Sequence, residues 1–278
     1  MIGGLRRAAN RHPRGTALVV LALFAAIYAL PILLMGPVDL TEGTGMIDFS
    51  NLVINVTPQA ALAGVILAIV ALLGWWRQTG LTSPIDWRGW RLCAWIIAVP
   101  AGLLLVVMAA ILMQDPGPDY VLMLALILLF NLFVGIFEET LFRGVVFHGL
   151  RARHGLWTAL FASSLLFGAF HAVNLAIGQD LLFTLLQILN AFALGLFFAA
   201  LVLQSNSLWP AIVLHAIWNS YAMSGQLAMQ VIYDEPLSAF MEPSVIHLIL
   251  PTALFIGAIW IVRRWQRRMP PPIPSAAA

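Results

Sequence analysis

Lysine is absent from this chain of 278 residues, and cysteine occurs once, at Cys93. One cysteine excludes an intramolecular disulfide, and inside an apolar stretch it reads as a packing residue. Charge is scarce too. Only 9% of residues are ionised, against roughly 25% in an average soluble domain, which excludes an ordinary soluble fold. No basic and aromatic cluster stands in a polar segment, so no nucleic-acid partner is expected. No internal repeat is visible. The C-terminus carries no prenylation cysteine, so the chain is not expected to be lipidated there.

What is abundant is hydrocarbon. The chain is 62% hydrophobic with a mean hydropathy of +0.94, and a span needs about 20 apolar residues. Eight runs qualify: Thr16–Met35, Pro58–Trp76, Leu92–Met113, Tyr120–Phe142, Leu156–Ala176, Leu181–Leu203, Leu208–Met223 and Val245–Val262. The expected fold class is therefore all-α, a polytopic membrane bundle of about eight helices. The first run follows Arg6, Arg7, Arg11 and Arg14. It is too long for a signal peptide and no small-residue cleavage site follows, so it reads as a retained span.

With the N-terminus in the cytoplasm and the spans alternating, the charges segregate. The four N-terminal arginines, Arg77, Arg88, Arg91, Arg151, Arg153, Arg263, Arg264, Arg267 and Arg268 fall inside, and Arg143 lies near that side. Asp39, Glu42, Asp48, Asp115, Asp119, Asp180, Asp234, Glu235 and Glu242 fall outside, with Asp86 in an inner loop. This obeys the positive-inside rule. It implies an integral protein of the plasma or bacterial inner membrane with both termini cytoplasmic. Seven tryptophans (75, 76, 87, 90, 157, 209 and 265) gather at the inner boundary as an aromatic belt. Residues 1–118 hold the first three spans, 119–224 a polar-bearing core, and 225–278 the last span and a tail, of which Pro270–Pro274 and the small residues after it are expected to be disordered.

The two remaining acids, Glu138 and Glu139, sit in hydrocarbon, where each costs roughly 2.5–3.5 kcal/mol. Glu139 and Arg143 are four apart and share a helix face, so an intramembrane ion pair neutralises them. Glu138 points elsewhere and lacks that compensation. The fifth run adds Phe167-Gly-Ala-Phe-His171, and the seventh adds His215-Ala-Ile-Trp-Asn219, again four apart. The fourth helix must continue to about Gly149 to bring these to matching depth. Glu138 then lies about 20 Å inward of Arg151 and His171 about 25 Å inward of His154, whereas His215 is only about 10 Å from Trp209. His12, His154 and His247 read as solvated, His148 as structural, and Asn131, Gln187 and Asn190 as interhelical hydrogen bonds.

A carboxylate, two imidazoles and a carboxamide in a dry cavity can activate water and stabilise an oxyanion, which is machinery for amide hydrolysis. Glu138, His171 and His215 could instead hold a zinc ion with water in the fourth position. The His-Glu-x-x-His, Gly-x-Ser-Gly and Gly-x-Gly-Asp protease motifs are absent. A proton- or ion-coupled transporter and a non-catalytic scaffold or immunity protein stay open as alternatives. The former lacks an inverted repeat or paired broken helices.

Glu138-Glu139-Thr-Leu-Phe-Arg143, Phe167-Gly-Ala-Phe-His171 and His215-Ala-Ile-Trp-Asn219 resemble the three motifs of the CPBP intramembrane proteases. That family includes the CAAX prenyl endopeptidases of the Ras-converting-enzyme type and abortive-infection-like proteins. The resemblance covers about Val121 to Tyr221. It implies an eight-helix fold whose cavity opens to the cytoplasm, and an endopeptidase cleaving near that face. In it Glu138 is the base, His171 helps activate water, and His215 and Asn219 bind the oxyanion. Glu139, Arg143 and Phe167 are supports. Zinc is implied only by the metal-dependent version of the mechanism. The expected partners are membrane lipid and a membrane-associated peptide or protein substrate.

Overall fold

The computed structural model describes residues 2–35, 47, 49–176, 178–234 and 248–268. The tail from Pro270, His247 and the acids Asp39, Glu42, Asp48, Glu235 and Glu242 lie outside those residues. Every regular element among the described residues is helical. In order they are α1 (Ile2–Arg11), α2 (Pro13–Met35), α3 (Phe49–Leu73), α4 (Trp87–Leu112) and α5 (Pro118–Glu139). A π-helical run (Thr140–Val146) leads into α6 (Phe147–Arg151). Then come α7 (Leu156–Phe170), α8 (Val173–Ala176), α9 (Leu181–Ser205), α10 (Trp209–Tyr233) and α11 (Ile249–Gln266).

Six stretches among the described residues are long and apolar enough to cross a membrane: 13–30, 52–73, 87–112, 118–151, 156–176 and 181–205. The helices at the seventh and eighth expected runs, α10 and α11, do not join that set. α10 carries His215, Asn219, Ser220 and Ser224 along its length, and α11 ends in Arg263 and Arg264. Both are nonetheless built into the bundle, α10 against α4 and α5, and α11 against α9.

Local chemistry sets the helix ends. The Asp86 carboxylate accepts from the Arg88 amide at 3.0 Å, and that of Asp180 from Leu182 and Phe183, as N-caps do. Pro118 and Pro210 occupy first-turn positions, where no amide is needed. Helix continues from Pro118 through the π-helical run to Arg151, so Glu138 lies about 20 Å inward of that boundary, as the depth comparison required. The shallow position of His215 is resolved by a re-entrant loop. Gly80 accepts from the Leu208 amide at 3.0 Å, and neighbouring Thr79 lies against Gly144. α10 therefore starts level with Gly144, roughly 10 Å inside Arg151.

Small residues let the helices close in. A Cβ on Gly135 of α5 would stand 2.9 Å from the Ile212 carbonyl of α10, and one on Gly168 of α7 would stand 2.8 Å from the Ile188 carbonyl of α9. Each glycine precedes a polar residue by three: Glu138 and His171. α5 and α10 run antiparallel. Side chains lean toward a helix N-terminus, so Glu138 and His215 lean toward each other from either side of that contact. Cys93 is buried against the Leu201 carbonyl, as a packing residue should be.

Candidate active site

The adjacent glutamates occupy different environments. Glu139 is fully buried, while Glu138 keeps 14% of its side chain exposed on the wall of a cavity of about 700 Å³. Arg143 Nη1 donates to Glu139 Oε1 at 2.9 Å. The same oxygen takes a second donor, His215 Nδ1, at 2.7 Å. The other ring nitrogen, Nε2, stands 3.6 Å from Glu138 Oε2. His215 thus bridges the two glutamates. As an imidazolium it turns both N–H groups toward carboxylates, and the four charges sum to zero. This matters where an uncompensated buried charge is costly.

Aromatic rings wall this cluster. Phe198 stacks on His215 at 5.2 Å and 19°. The Arg143 guanidinium lies 4.1 Å from the Phe167 ring centroid and 5.2 Å from that of Phe198, within cation–π range. Phe167 also presents its edge or face to His171 and His215.

His171 ends α7, and its Nδ1–H donates to the Phe167 carbonyl at 3.0 Å. That bond fixes the tautomer and leaves Nε2 with a lone pair. Glu138, His171, His215 and Asn219 all line the one cavity, with Phe167. Glu139 and Arg143 stand behind it, both buried. The polar residues of three helices are therefore gathered rather than splayed.

The remaining wall is aromatic and carboxamide. Asn131, assigned from sequence to a hydrogen bond within the bundle, donates to the Ile127 carbonyl and to Met223 Sδ. Gln187 accepts from Asn174 Nδ2 at 2.8 Å. Asn190 departs from that expectation: its Oδ1 is buried without a partner, as is Gln59 Oε1. Both residues line the cavity. His148 packs edge-on against Trp75, a structural role.

Among the described residues no three His, Cys, Asp or Glu side chains converge into a set that could hold a metal ion. Glu138, His171 and His215 share the cavity but do not form such a cradle. His215 has already committed Nδ1 to Glu139. No step below is routed through zinc.

Residues 120–221 match the family model described as type II CAAX prenyl endopeptidase Rce1-like. That segment belongs to the Rce1-like family. The family is one of proteases, and with its apolar helices the chain is an integral membrane protein of that class. No curated protein and no solved structure matches the chain. The Rce1-like segment spans α5 to the middle of α10 and contains every residue of the three motifs. Tyr28 of α2 and Gln59 of α3 reach the cavity from outside it. Neither could be found from sequence, because nothing but packing brings their helices to α5.

Proposed function

We propose that this chain is an intramembrane endopeptidase that hydrolyses a peptide bond with water activated by Glu138. The observation that carries this is the bridge of His215 between Glu138 and Glu139 at the closed end of a cavity shared with His171 and Asn219. Glu138 is the half-exposed acid of the pair, and Glu139 is held by Arg143 as its structural partner.

In the mechanism, Glu138 takes a proton from a water that His171 Nε2 orients by accepting its other hydrogen. The oxygen attacks the carbonyl carbon of the substrate. The resulting oxyanion is met by Asn219 Nδ2–H and by the Nε2–H of protonated His215, donors that gain strength in a dry site. Collapse breaks the C–N bond. Glu138 returns its proton to the leaving amine, which yields one carboxylic acid and one amine per water consumed. The unpartnered oxygens of Gln59 and Asn190 suit the backbone N–H groups of an extended peptide.

The test is Glu138→Gln in purified, lipid-reconstituted protein, with peptide products read by mass spectrometry. Cleavage should be lost while the thermal unfolding transition stays in place. Unchanged turnover would sink the proposal.

A further inference from the structure

The direction in which the cavity opens assigns the side from which substrate arrives. We infer that the substrate enters from the extracytoplasmic side of the membrane, through the end of the bundle opposite the arginines. This rests on the endopeptidase reading of the cavity.

Thirteen of the fourteen arginines sit at one end, and the fourteenth, Arg143, is buried below it. They lie on α1, at the start of α2, in the segment from the end of α3 into the first turns of α4, around the end of α6, and on the last turns of α11. The elements meet there. Arg6 donates to the Ala71 and Leu72 carbonyls at the end of α3, and Arg151 lies over Trp265 at the end of α11. The described acids apart from the active-site pair are Asp86, at this end, and Asp115, Asp119, Asp180 and Asp234, all at the other. Arginine-rich short segments stay in the cytoplasm.

The active-site cavity faces away from that end. Its arginine-side floor is sealed: Phe198, Phe167 and His215 are 1%, 2% and 4% exposed. Its walls continue along α9 toward Phe183 and past the end of α7 to Asn174 and Gln179. Gln179 and Leu250, beside the acidic end, are exposed. A second cavity of about 390 Å³ does approach from the arginine side, between Arg77, His148 and Arg151, and stops at Arg143. The two cavities have no lining residue in common. Cytoplasmic arginines and a cytoplasm-facing active site therefore cannot both hold for this chain, and the charge distribution decides between them.

The route also selects the substrate. Apart from Glu138 and the two histidines, no ionisable side chain other than the Tyr28 phenol lines it. The segment that fits is an uncharged, extended stretch of a membrane-anchored or translocated chain, cut within the outer half of the bilayer.

The experiment is labelling of single cysteines in intact cells with a membrane-impermeant maleimide. A Cys93→Ala background carries Gln179→Cys or, separately, Arg153→Cys. Because Cys93 is fully buried, the chain retaining it is a second background should Cys93→Ala fail to fold. The expected result is labelling of Gln179→Cys in intact cells and of Arg153→Cys only after permeabilisation. The reverse pattern, labelling of both positions in intact cells, or no labelling of Gln179→Cys would overturn the inference. Labelling does not depend on turnover. A chain that shows the expected pattern but cleaves nothing removes the endopeptidase reading and leaves the direction of the cavity standing.

Discussion

His215 Nδ1 donates to Glu139 Oε1 over 2.7 Å, joining residues 76 apart in sequence. The same oxygen is held by Arg143. The buried carboxylate is thus the joint between the π-helical run and α10. Removing one member of a buried ion pair costs about 3–5 kcal/mol. Glu139→Gln and Arg143→Met should each lower the unfolding temperature in detergent markedly. The double variant should be less damaged than the sum of the two, because neither leaves a stranded charge. Additive losses would show that the pair is not energetically coupled.

Asn219 lines the cavity one helical turn beyond His215. If its amide meets the oxyanion, Asn219→Ala should lower kcat by roughly 10²–10³ and leave KM nearly unchanged. Steady-state kinetics on a fluorogenic peptide would reveal this. A change confined to KM would make Asn219 a substrate-binding residue instead.

Gly135 leaves 2.9 Å between a hypothetical Cβ and the Ile212 carbonyl. Gly135→Val must push α5 from α10 and so part Glu138 from His215. Overpacking of this kind costs about 1–3 kcal/mol, but a displacement near 1 Å at the reacting groups can cost about 10² in rate. Turnover should therefore fall much further than stability, as paired activity and unfolding measurements would show. Equal falls would remove Gly135 from any role in positioning.

The mechanism proposed draws its nucleophile from Glu138 and water alone. Exhaustive chelation followed by buffer exchange should leave turnover intact, with metal content measured on the same active sample. Loss of activity that returns with stoichiometric Zn²⁺ would replace the glutamate–water mechanism by one on metal.

Much of the site could be read from spacing. The pairing of Glu139 with Arg143, the shared face of His215 and Asn219, and the continuation of helix from Glu138 to Arg151 all follow from intervals of three or four residues in one apolar run. What the sequence hid was tertiary. The bond from His215 to Glu139 requires α10 to start inside the bundle, and that depends on a loop near Gly80 folding inward. Asn190 looked like a helix-to-helix donor because a carboxamide in an apolar run gives no sign of whether it meets a helix or a cavity. The count of eight spans assumed that length and hydropathy go together. In α10 the catalytic candidates themselves dilute the apolar character that the count relies on.

The seven residues from Thr140 to Val146 are wound as π-helix, with amides reaching back five residues instead of four. Rewinding that stretch to ordinary pitch would turn Arg143 around the axis and strip Glu139 of its cation, which would release His215 in turn. The looser coil thus works as a clutch. Helical winding and the charge state of the reaction centre are engaged together, and a one-residue deletion anywhere between 140 and 146 would disengage both at once.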